Sequence, residues 1–255
     1  MTVLLLSWFS PLSPAALATM EHRFWPALAI TLSFGVLARL LRAVDLSGAA
    51  AGVVVTLLLF VTAGPAAFAA VAAVFVLALV STRLGYRHKQ FLGTAERRGG
   101  RSASQVLANL GAAAVCGVAS VLAHQPQLWL LALSAALAEA AADTVSSEYG
   151  QATATRAYLI TTWEAVPAGT DGGISLPGTL AGIAAALLLA LACAAGQLVP
   201  RRWIAITMGA GILGMLVDSY LGAWLERRRS LSNDQVNFLS TVVAAVLAVV
   251  LARFL

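Results

Sequence analysis

The sequence predicts an all-α fold, a polytopic transmembrane helical bundle with about seven or eight membrane helices. Of the 255 residues, 60% are hydrophobic and only 11% are charged, whereas a soluble globular domain carries roughly 25% charged residues. A helix that crosses a bilayer needs about 20 apolar residues. Runs of this kind occur near residues 24–41, 47–63, 65–82, 103–123, 127–146, 177–199, 203–222 and 236–254.

A single integral-membrane catalytic domain is expected over residues 24–255, because no segment between the apolar runs is long enough to form a soluble domain. Residues 1–23 form an N-terminal apolar segment of uncertain structure. This segment lacks the basic start of a signal peptide, and Pro11 and Pro14 interrupt it. We therefore assign it no functional role.

The basic residues predict the orientation in the membrane. Short loops on the cytosolic side carry an excess of lysine and arginine, and the loop 83–102 is the richest in both. With that loop in the cytosol, the polar and acidic segments 45–52, 143–175 and 218–237 fall on the same side. We expect an integral protein of the plasma (inner) membrane whose active site faces the cytoplasm. Nucleic-acid binding is not expected, because the basic residues belong to helix ends.

Carboxylates cluster at the end of the fifth apolar run. Glu139 and Asp143 share one helix face, and Glu148 follows. A carboxylate at membrane depth costs about 2.5–3.5 kcal/mol on insertion scales, so such residues usually have a function. Asp143 and Glu148 are predicted to bind Mg²⁺, provided that the helix ends or unwinds near residues 146–147. The alternative is a structural pairing with an arginine such as Arg101.

Arg101, Gln105 and Asn109 are spaced by four residues and form one polar stripe on a helix. The guanidinium of Arg101 suits phosphate, and the two amides add further donors and acceptors. The stripe is thus a candidate phosphate site. It is equally explained by an arginine that reaches the membrane surface and by hydrogen bonds between helices.

The most polar loop precedes the sixth apolar run. Its glycines, hydroxyls and acid can present backbone N–H groups to phosphate, and the following helix start would add its dipole. A simple turn is an equally good explanation. The candidate binding residues in this region are Thr162, Thr170, Asp171, Gly172, Gly173 and Ser175.

Three more polar residues are predicted to complete the cavity. Asp218 lies among Gly211, Gly214 and Gly222, a small-residue face that predicts close helix packing and leaves the acid unexplained. Asn233 and Asn237 open the last apolar run. Asn233 is also a candidate N-cap.

These motifs occur together in an order that resembles one known family. The series is Asp45-x-x-Gly48; Gly99-Gly100-Arg101 with Gln105 and Asn109; Asp143-Thr144 with Ser147-Glu148; Thr161-Thr162; Gly169 to Ser175 with Gly178-Thr179; Asp218-Ser219 with Gly222-Ala223; and Asn233-Asp234 with Asn237. It resembles the integral-membrane family of domain of unknown function 92, which includes a plant phytyl-phosphate kinase. The match runs from about residue 28 to the C-terminus.

The resemblance implies a kinase that uses Mg²⁺ and CTP or ATP to convert a prenyl (phytyl or polyprenyl) monophosphate to the diphosphate. Asp143, Arg101 and Asp218 would be its catalytic residues. Its partners would be a nucleotide, a lipid-anchored phosphate and membrane lipids, and a homo-oligomer is left open. One alternative is a CTP-dependent lipid cytidylyltransferase. The other is a transporter of a cation or small solute, with Asp143 and Asp218 as ligands.

Overall fold

The computed structural model describes residues 12–96, 99–154 and 156–254. Helices dominate these ranges, together with one short 3₁₀ turn at Arg201–Trp203 and one π-helical turn at Gly222–Glu226. The helices are α1 (Pro14–Leu40), α2 (Leu46–Ala63), α3 (Pro65–Arg83), α4 (Tyr86–Leu92), α5 (Ala103–Leu122), α6 (Pro126–Thr153), α7 (Leu176–Ala195), α8 (Ile204–Leu221) and α9 (Asn233–Ala252).

Each predicted apolar run forms a helix, and seven of the described helices are long and apolar enough to cross a membrane. The helix bundle is therefore confirmed. Helix α1 begins at Pro14, ahead of the apolar run predicted near residue 24, and its N-cap Ser13 accepts a hydrogen bond from the N–H of Ala16. The first eleven residues of the uncertain N-terminal segment lie outside the described residues.

Helix α6 forms the centre of the bundle. Its side chains from Leu131 to Ala142 are all buried, and α3, α5, α7, α8 and α9 pack around it. Glycines permit this close packing: a Cβ at Gly182 would lie 2.8 Å from the carbonyl oxygen of Ala142, and one at Gly211 would lie 2.9 Å from the Cβ of Ala138. The predicted small-residue face of α8 is therefore a packing surface against α6.

Alternate helix connections, those after α1, α4, α6 and α8, meet at one end of the bundle, which we call the polar end. Val44, after α1, forms a bridge with Arg101, before α5. The space next to Gly169, after α6, is filled by Thr94, and Gly172 lies against the π-helical turn that follows α8. The polar segments that the sequence placed on one side of the membrane are thus neighbours in the fold.

A small antiparallel sheet, which the sequence analysis did not predict, lies at the polar end. Its strands are β1 (Ala157–Leu159), β2 (Ala165–Val166) and β3 (Gly173–Ile174), in the order β2-β1-β3. Strands of two or three residues are too short to show an alternating pattern. The sheet anchors both ends of the loop that precedes α7.

The Asp45-x-x-Gly48 motif begins α2. Asp45 is the N-cap, and its Oδ1 accepts hydrogen bonds from the N–H of Gly48 at 2.8 Å and from the hydroxyl of Ser47 at 2.7 Å. These two hydrogen bonds lower the pKa of the Asp45 carboxyl below its ordinary value. The motif is thus first a helix start.

Candidate active site at the polar end

A polar cavity of about 370 Å³ opens at the polar end. We call it the acidic cavity. Its walls are the last turns of α6, the loop before α7, the end of α8 and the first residue of α9. The predicted site residues that line it are Asp143, Thr170, Asp171, Gly172, Gly173, Ser175, Asp218 and Asn233.

Carboxylates from different elements face this cavity. Asp143 comes from α6, Asp218 from α8 and Glu226 from the π-helical turn, and Asp171 comes from the loop. Asp143 and Asp218 lie within electrostatic range of each other, and so do Asp143 and Glu226. No lysine or arginine is among the described lining residues. The cavity therefore attracts cations.

Glu226 was not among the predicted residues. A regular α-helix has 3.6 residues per turn, so residues four apart do not point in quite the same direction. Along Asp218, Gly222 and Glu226, the side-chain direction would rotate further around the helix at each step. In a π-helical turn each hydrogen bond closes over one more residue than in an α-helix, so each residue rotates the chain by a smaller angle. The π-helical turn at Gly222–Glu226 therefore compensates for this rotation. Glu226 consequently faces the same cavity as Asp218. Single π turns frequently occur at functional sites.

A second layer of polar groups lies beneath the cavity. The hydroxyl of Ser240, on α9, donates to Oδ2 of Asp218 at 3.0 Å. Glu139, one turn before Asp143, is 1% exposed. Its Oε1 atom has no hydrogen-bond partner among the described residues. Ser240 therefore orients Asp218, and the Glu139 carboxyl extends the acidic region into the bundle.

The loop from Gly169 to Ser175 closes the cavity opposite Asp143. Ser175 is the N-cap of α7, and its Oγ accepts a hydrogen bond from the N–H of Gly178 at 3.2 Å. Gly172 has a φ of +73°, and a Cβ there would lie 2.6 Å from the backbone N of Ala223. The loop thus rests directly on the π-helical turn, with the positive end of the α7 dipole behind it.

Replacing Gly172 with Ala is expected to loosen this loop. The left-handed φ costs a residue with a Cβ about 1–2 kcal/mol, and the overlap with Ala223 adds about 1–3 kcal/mol. Gly93 is the matched control, since it lines the same cavity at a φ of +75° with open space around its Cα. Unfolding in detergent should show a larger loss for Gly172→Ala than for Gly93→Ala. Equal losses would contradict the packing argument.

The expected helix break between Asp143 and Glu148 is wrong. Helix α6 continues to Thr153, so the two carboxylates point to different sides. Glu148 accepts hydrogen bonds from Lys89 Nζ and from the hydroxyl of Thr82 at 2.9 Å, and its Oε1 lies 3.9 Å from Arg101 Nη2. The structure thus does not bring together the predicted Mg²⁺ pair, and Glu148 has the structural pairing that was the alternative.

Lys89 was also missed as a site-related residue. Its side chain is fully buried, and its ammonium donates to Glu148 and to the carbonyl oxygens of Ser81 and Thr82. All three of its protons therefore have an acceptor. The only signal in the sequence was that Lys89 is the single lysine of the chain.

The Arg101 stripe lies outside the acidic cavity. Arg101, Gln105 and Asn109 line a neighbouring cavity between α1, α2, α3 and α5. Gln105 Oε1 accepts from the N–H of Ser102 as part of a capping box. The amide nitrogen of Asn109 donates to the carbonyl oxygen of Gln105. Thr144 on α6 also lines this neighbouring cavity, and the adjacent residue Asp143 lines the acidic cavity, so the two cavities adjoin.

The remaining predicted residues lie at different distances from the acidic cavity. Thr162 does not line it and instead contacts Glu164. Asn237 does not line it either, and its backbone carbonyl oxygen lies 2.9 Å from the hydroxyl oxygen of Ser240. Asn233 lines the cavity, but the N-cap of α9 is the preceding residue, Ser232. The predicted capping role of Asn233 is therefore wrong by one position.

The described residues contain no group of three or more His, Cys, Asp or Glu side chains arranged to hold a metal ion by themselves. Magnesium usually keeps several waters and takes one or two protein carboxylates together with substrate phosphates. Asp143 and Asp218, which face one cavity without a basic neighbour in its lining, fit that second kind of site.

An integral membrane protein with a polar, acid-lined cavity at one end of its helical bundle is thus the class that the fold defines. The chain belongs to the family described as "Integral membrane protein DUF92", whose model matches residues 29–245. This confirms the family that the sequence motifs indicated.

Several relatives share most of the chain. It is 33% identical over 225 residues to "Protein VTE6, chloroplastic" of Arabidopsis thaliana, a match that covers 85% of this chain and 67% of the relative. An uncharacterized membrane protein of Synechocystis is 36% identical over 183 residues, which are 70% of this chain and 71% of that protein. "Protein PGR" of Arabidopsis thaliana is 30% identical over 210 residues, with 72% and 73% covered. No solved structure matches.

Proposed function

We propose that this protein is a membrane-embedded kinase that converts a prenyl monophosphate to the diphosphate with Mg²⁺ and a nucleoside triphosphate, CTP or ATP. The observation that carries the proposal is the acidic cavity, in which the carboxylates of Asp143 and Asp218 face a glycine-rich loop at the start of a helix. Phosphoryl transfer depends mainly on positioning and on neutralising charge. A cation site opposite a phosphate cradle supplies both.

Two sets of residues would bind the nucleotide. The backbone N–H groups of residues 170–173 would contact its phosphates, with the α7 dipole adding to the attraction. Asp143 and Asp218 would hold Mg²⁺, and Ser240 would keep Asp218 oriented through its hydrogen bond. Magnesium would supply charge neutralisation on the phosphate oxygens.

Arg101 would position the acceptor phosphate. Its guanidinium lies 3.9 Å from Glu148 on α6, the helix that carries Asp143, so a phosphate bound to it would approach the nucleotide from the side of the neighbouring cavity. An oxygen of the lipid phosphate would attack the γ-phosphorus. The bond from that phosphorus to the nucleoside diphosphate would break, which leaves a lipid diphosphate and the nucleoside diphosphate as products.

The structure favours an enzyme over a transporter in one respect. Carriers typically bind their substrate near the membrane midplane, between broken helices. Here α6, which carries Asp143, is continuous, and the lining of the acidic cavity comes from the helix ends and loops of the polar end.

The test is an assay of the purified full-length protein in nanodiscs with phytyl monophosphate, Mg²⁺ and γ-labelled CTP or ATP. Formation of labelled phytyl diphosphate, abolished by EDTA and restored by Mg²⁺, is the expected result. An unlabelled CDP-lipid with release of diphosphate would replace the kinase with a cytidylyltransferase. The absence of any nucleotide-dependent thermal shift, with or without Mg²⁺, would overturn both activities.

A further inference from the structure

Arginines line a further cavity at the polar end, beside the one that the Arg101 stripe lines. It has a volume of about 390 Å³, and Arg42, Arg83, Arg101 and Glu96 supply its charges. We call it the arginine vestibule. Glu96 Oε2 lies 3.8 Å from Arg101 Nε. Glu148 also lies 3.9 Å from Arg101 Nη2, but Lys89 neutralises its charge. The vestibule therefore keeps an excess of positive charge. That charge favours an anion.

The vestibule opens onto the apolar cavity, the space between α1, α2, α3 and α5 that was described with the Arg101 stripe. Ala43, Leu79 and Arg101 line both. From Gly48 to Thr56, the wall formed by α2 spans nine residues, or about 12 Å along the helix. The volume is only about 90 Å³, and the lining is almost entirely apolar below the stripe. Such a space admits one slender hydrocarbon chain.

The backbone around Arg101 is fixed. Its N–H donates to the carbonyl oxygen of Ala43, and its own carbonyl oxygen accepts from the N–H of Asp45, each at 3.0 Å. A Cβ at Gly48 or Gly100 would overlap this junction. The guanidinium has contacts of its own: Nη2 donates to the hydroxyl of Thr82 at 3.2 Å, and Nε lies 3.8 Å from Glu96. Arg101 thus lies at the boundary between the vestibule and the apolar cavity.

Arg42 has a left-handed backbone at the end of α1, with a φ of 54°. This conformation normally selects glycine or asparagine, and it costs other residues about 1–2 kcal/mol. Arg42 lines the vestibule. A need for its positive charge there would explain why arginine occupies this strained position.

We infer that the arginine vestibule and the apolar cavity together bind a lipid monophosphate with a single hydrocarbon chain. The phosphate lies among Arg42, Arg83 and Arg101, and the first part of the chain occupies the apolar cavity. The inference rests on the proposed function and assigns a binding place to its acceptor. It also predicts weaker binding of a lipid with two acyl chains, because one of those chains would have no place in the apolar cavity.

The apolar cavity lies next to the acidic cavity, as this assignment requires. Thr144 lines the apolar cavity, and the adjacent residue Asp143 lines the acidic cavity. Arg101 Nη2 also lies 3.9 Å from Glu148 Oε1 on the same helix. A phosphate at Arg101 would therefore lie beside the helix that carries the candidate metal ligand.

The apolar cavity is tested with Gly52→Leu. Gly52 lines it, and a Cβ at this position meets nothing within 4 Å, so the leucine fills the cavity without a backbone clash. Gly209 has the same open surroundings on α8 and lines neither cavity, which makes Gly209→Leu the matched control. Binding of labelled phytyl monophosphate is measured in nanodiscs without nucleotide, after subtraction of empty discs.

The expected result is a Kd raised at least about tenfold by Gly52→Leu, equivalent to about 1.4 kcal/mol, and unchanged by Gly209→Leu. Phosphatidic acid should compete at least about tenfold more weakly than unlabelled phytyl monophosphate. Wild-type affinity in folded Gly52→Leu protein, or equal competition by phosphatidic acid, would overturn the inference.

Arg42→Asn provides a second variant that keeps the backbone relaxed, because asparagine tolerates the left-handed conformation. It should weaken phytyl monophosphate binding while leaving stability equal or higher. Arg39→Gln, an exposed arginine in the last turn of α1 that does not line the vestibule, should have no effect. Unchanged binding in Arg42→Asn would count against the vestibule. These binding measurements need no catalytic turnover. Failure of the kinase assay would therefore contradict the proposed function without deciding whether the lipid monophosphate binds.

Discussion

Asp143→Asn is expected to reduce the rate of diphosphate formation by at least about 100-fold. Loss of a residue that only supports a metal ligand costs about 10–100-fold, and Asp143 is proposed to be a ligand itself. The neutral amide keeps the size of the side chain, so the fold should be retained. The rate should be measured over a range of Mg²⁺ concentrations, alongside size-exclusion chromatography and thermal unfolding.

Glu164→Gln is the control for this prediction. Glu164 is exposed, lies in the same polar region and does not line the acidic cavity, so its variant should keep wild-type activity and the wild-type Mg²⁺ requirement. Retention of more than half of the activity by Asp143→Asn would remove Asp143 from the proposed metal site.

Lys89→Met is expected to lower the free energy of unfolding by about 3–5 kcal/mol, which is the typical cost of removing one partner of a buried ion pair. Glu148 would keep its hydrogen bond from Thr82 but would lose the ammonium that neutralises it. The double variant Lys89→Met with Glu148→Gln should recover part of this loss, because it removes both charges and leaves no carboxylate without a partner. Unfolding by denaturant in detergent micelles measures both changes.

Arg87→Met is the matched control, since Arg87 lies on the same short helix α4 and is exposed. It should change the stability by less than about 0.5 kcal/mol. The double variant also separates two roles for Glu148. If Glu148 only pairs with Lys89, the rate of the folded double variant should depend on Mg²⁺ concentration as in the wild type. A need for more Mg²⁺ would instead indicate that Glu148 is a metal ligand.

The transmembrane helices could be predicted from the sequence because each apolar run is close to the length that a bilayer requires. The grouping of the polar segments followed from counting these helices. The small sheet and α4 could not be predicted, since two- and three-residue strands and a seven-residue helix leave no periodic pattern. The start of α1 was missed because the charged residues Glu21 and Arg23 shorten the apolar run.

The composition of the acidic cavity was predicted in part. Asp143 and Asp218 stand out because an acid in an apolar run is costly. Glu226 does not, because only the π-helical turn brings it to the cavity. The partner of Glu148 is Lys89, 59 residues away in the chain. A local sequence pattern cannot predict a contact between residues so far apart. Without that contact, the nearest acid in the sequence, Asp143, is the predicted companion of Glu148, which requires a helix break that α6 does not have.

The continuity of α6 has a kinetic consequence for the proposed reaction. One unbroken helix has Asp143 in the wall of one compartment and Thr144 in the wall of the other. A water-soluble nucleotide and a lipid would therefore arrive by separate routes, and neither would block the other. Both must be present at once for direct transfer, so initial-rate plots should intersect, as in a sequential mechanism with no obligatory order of addition.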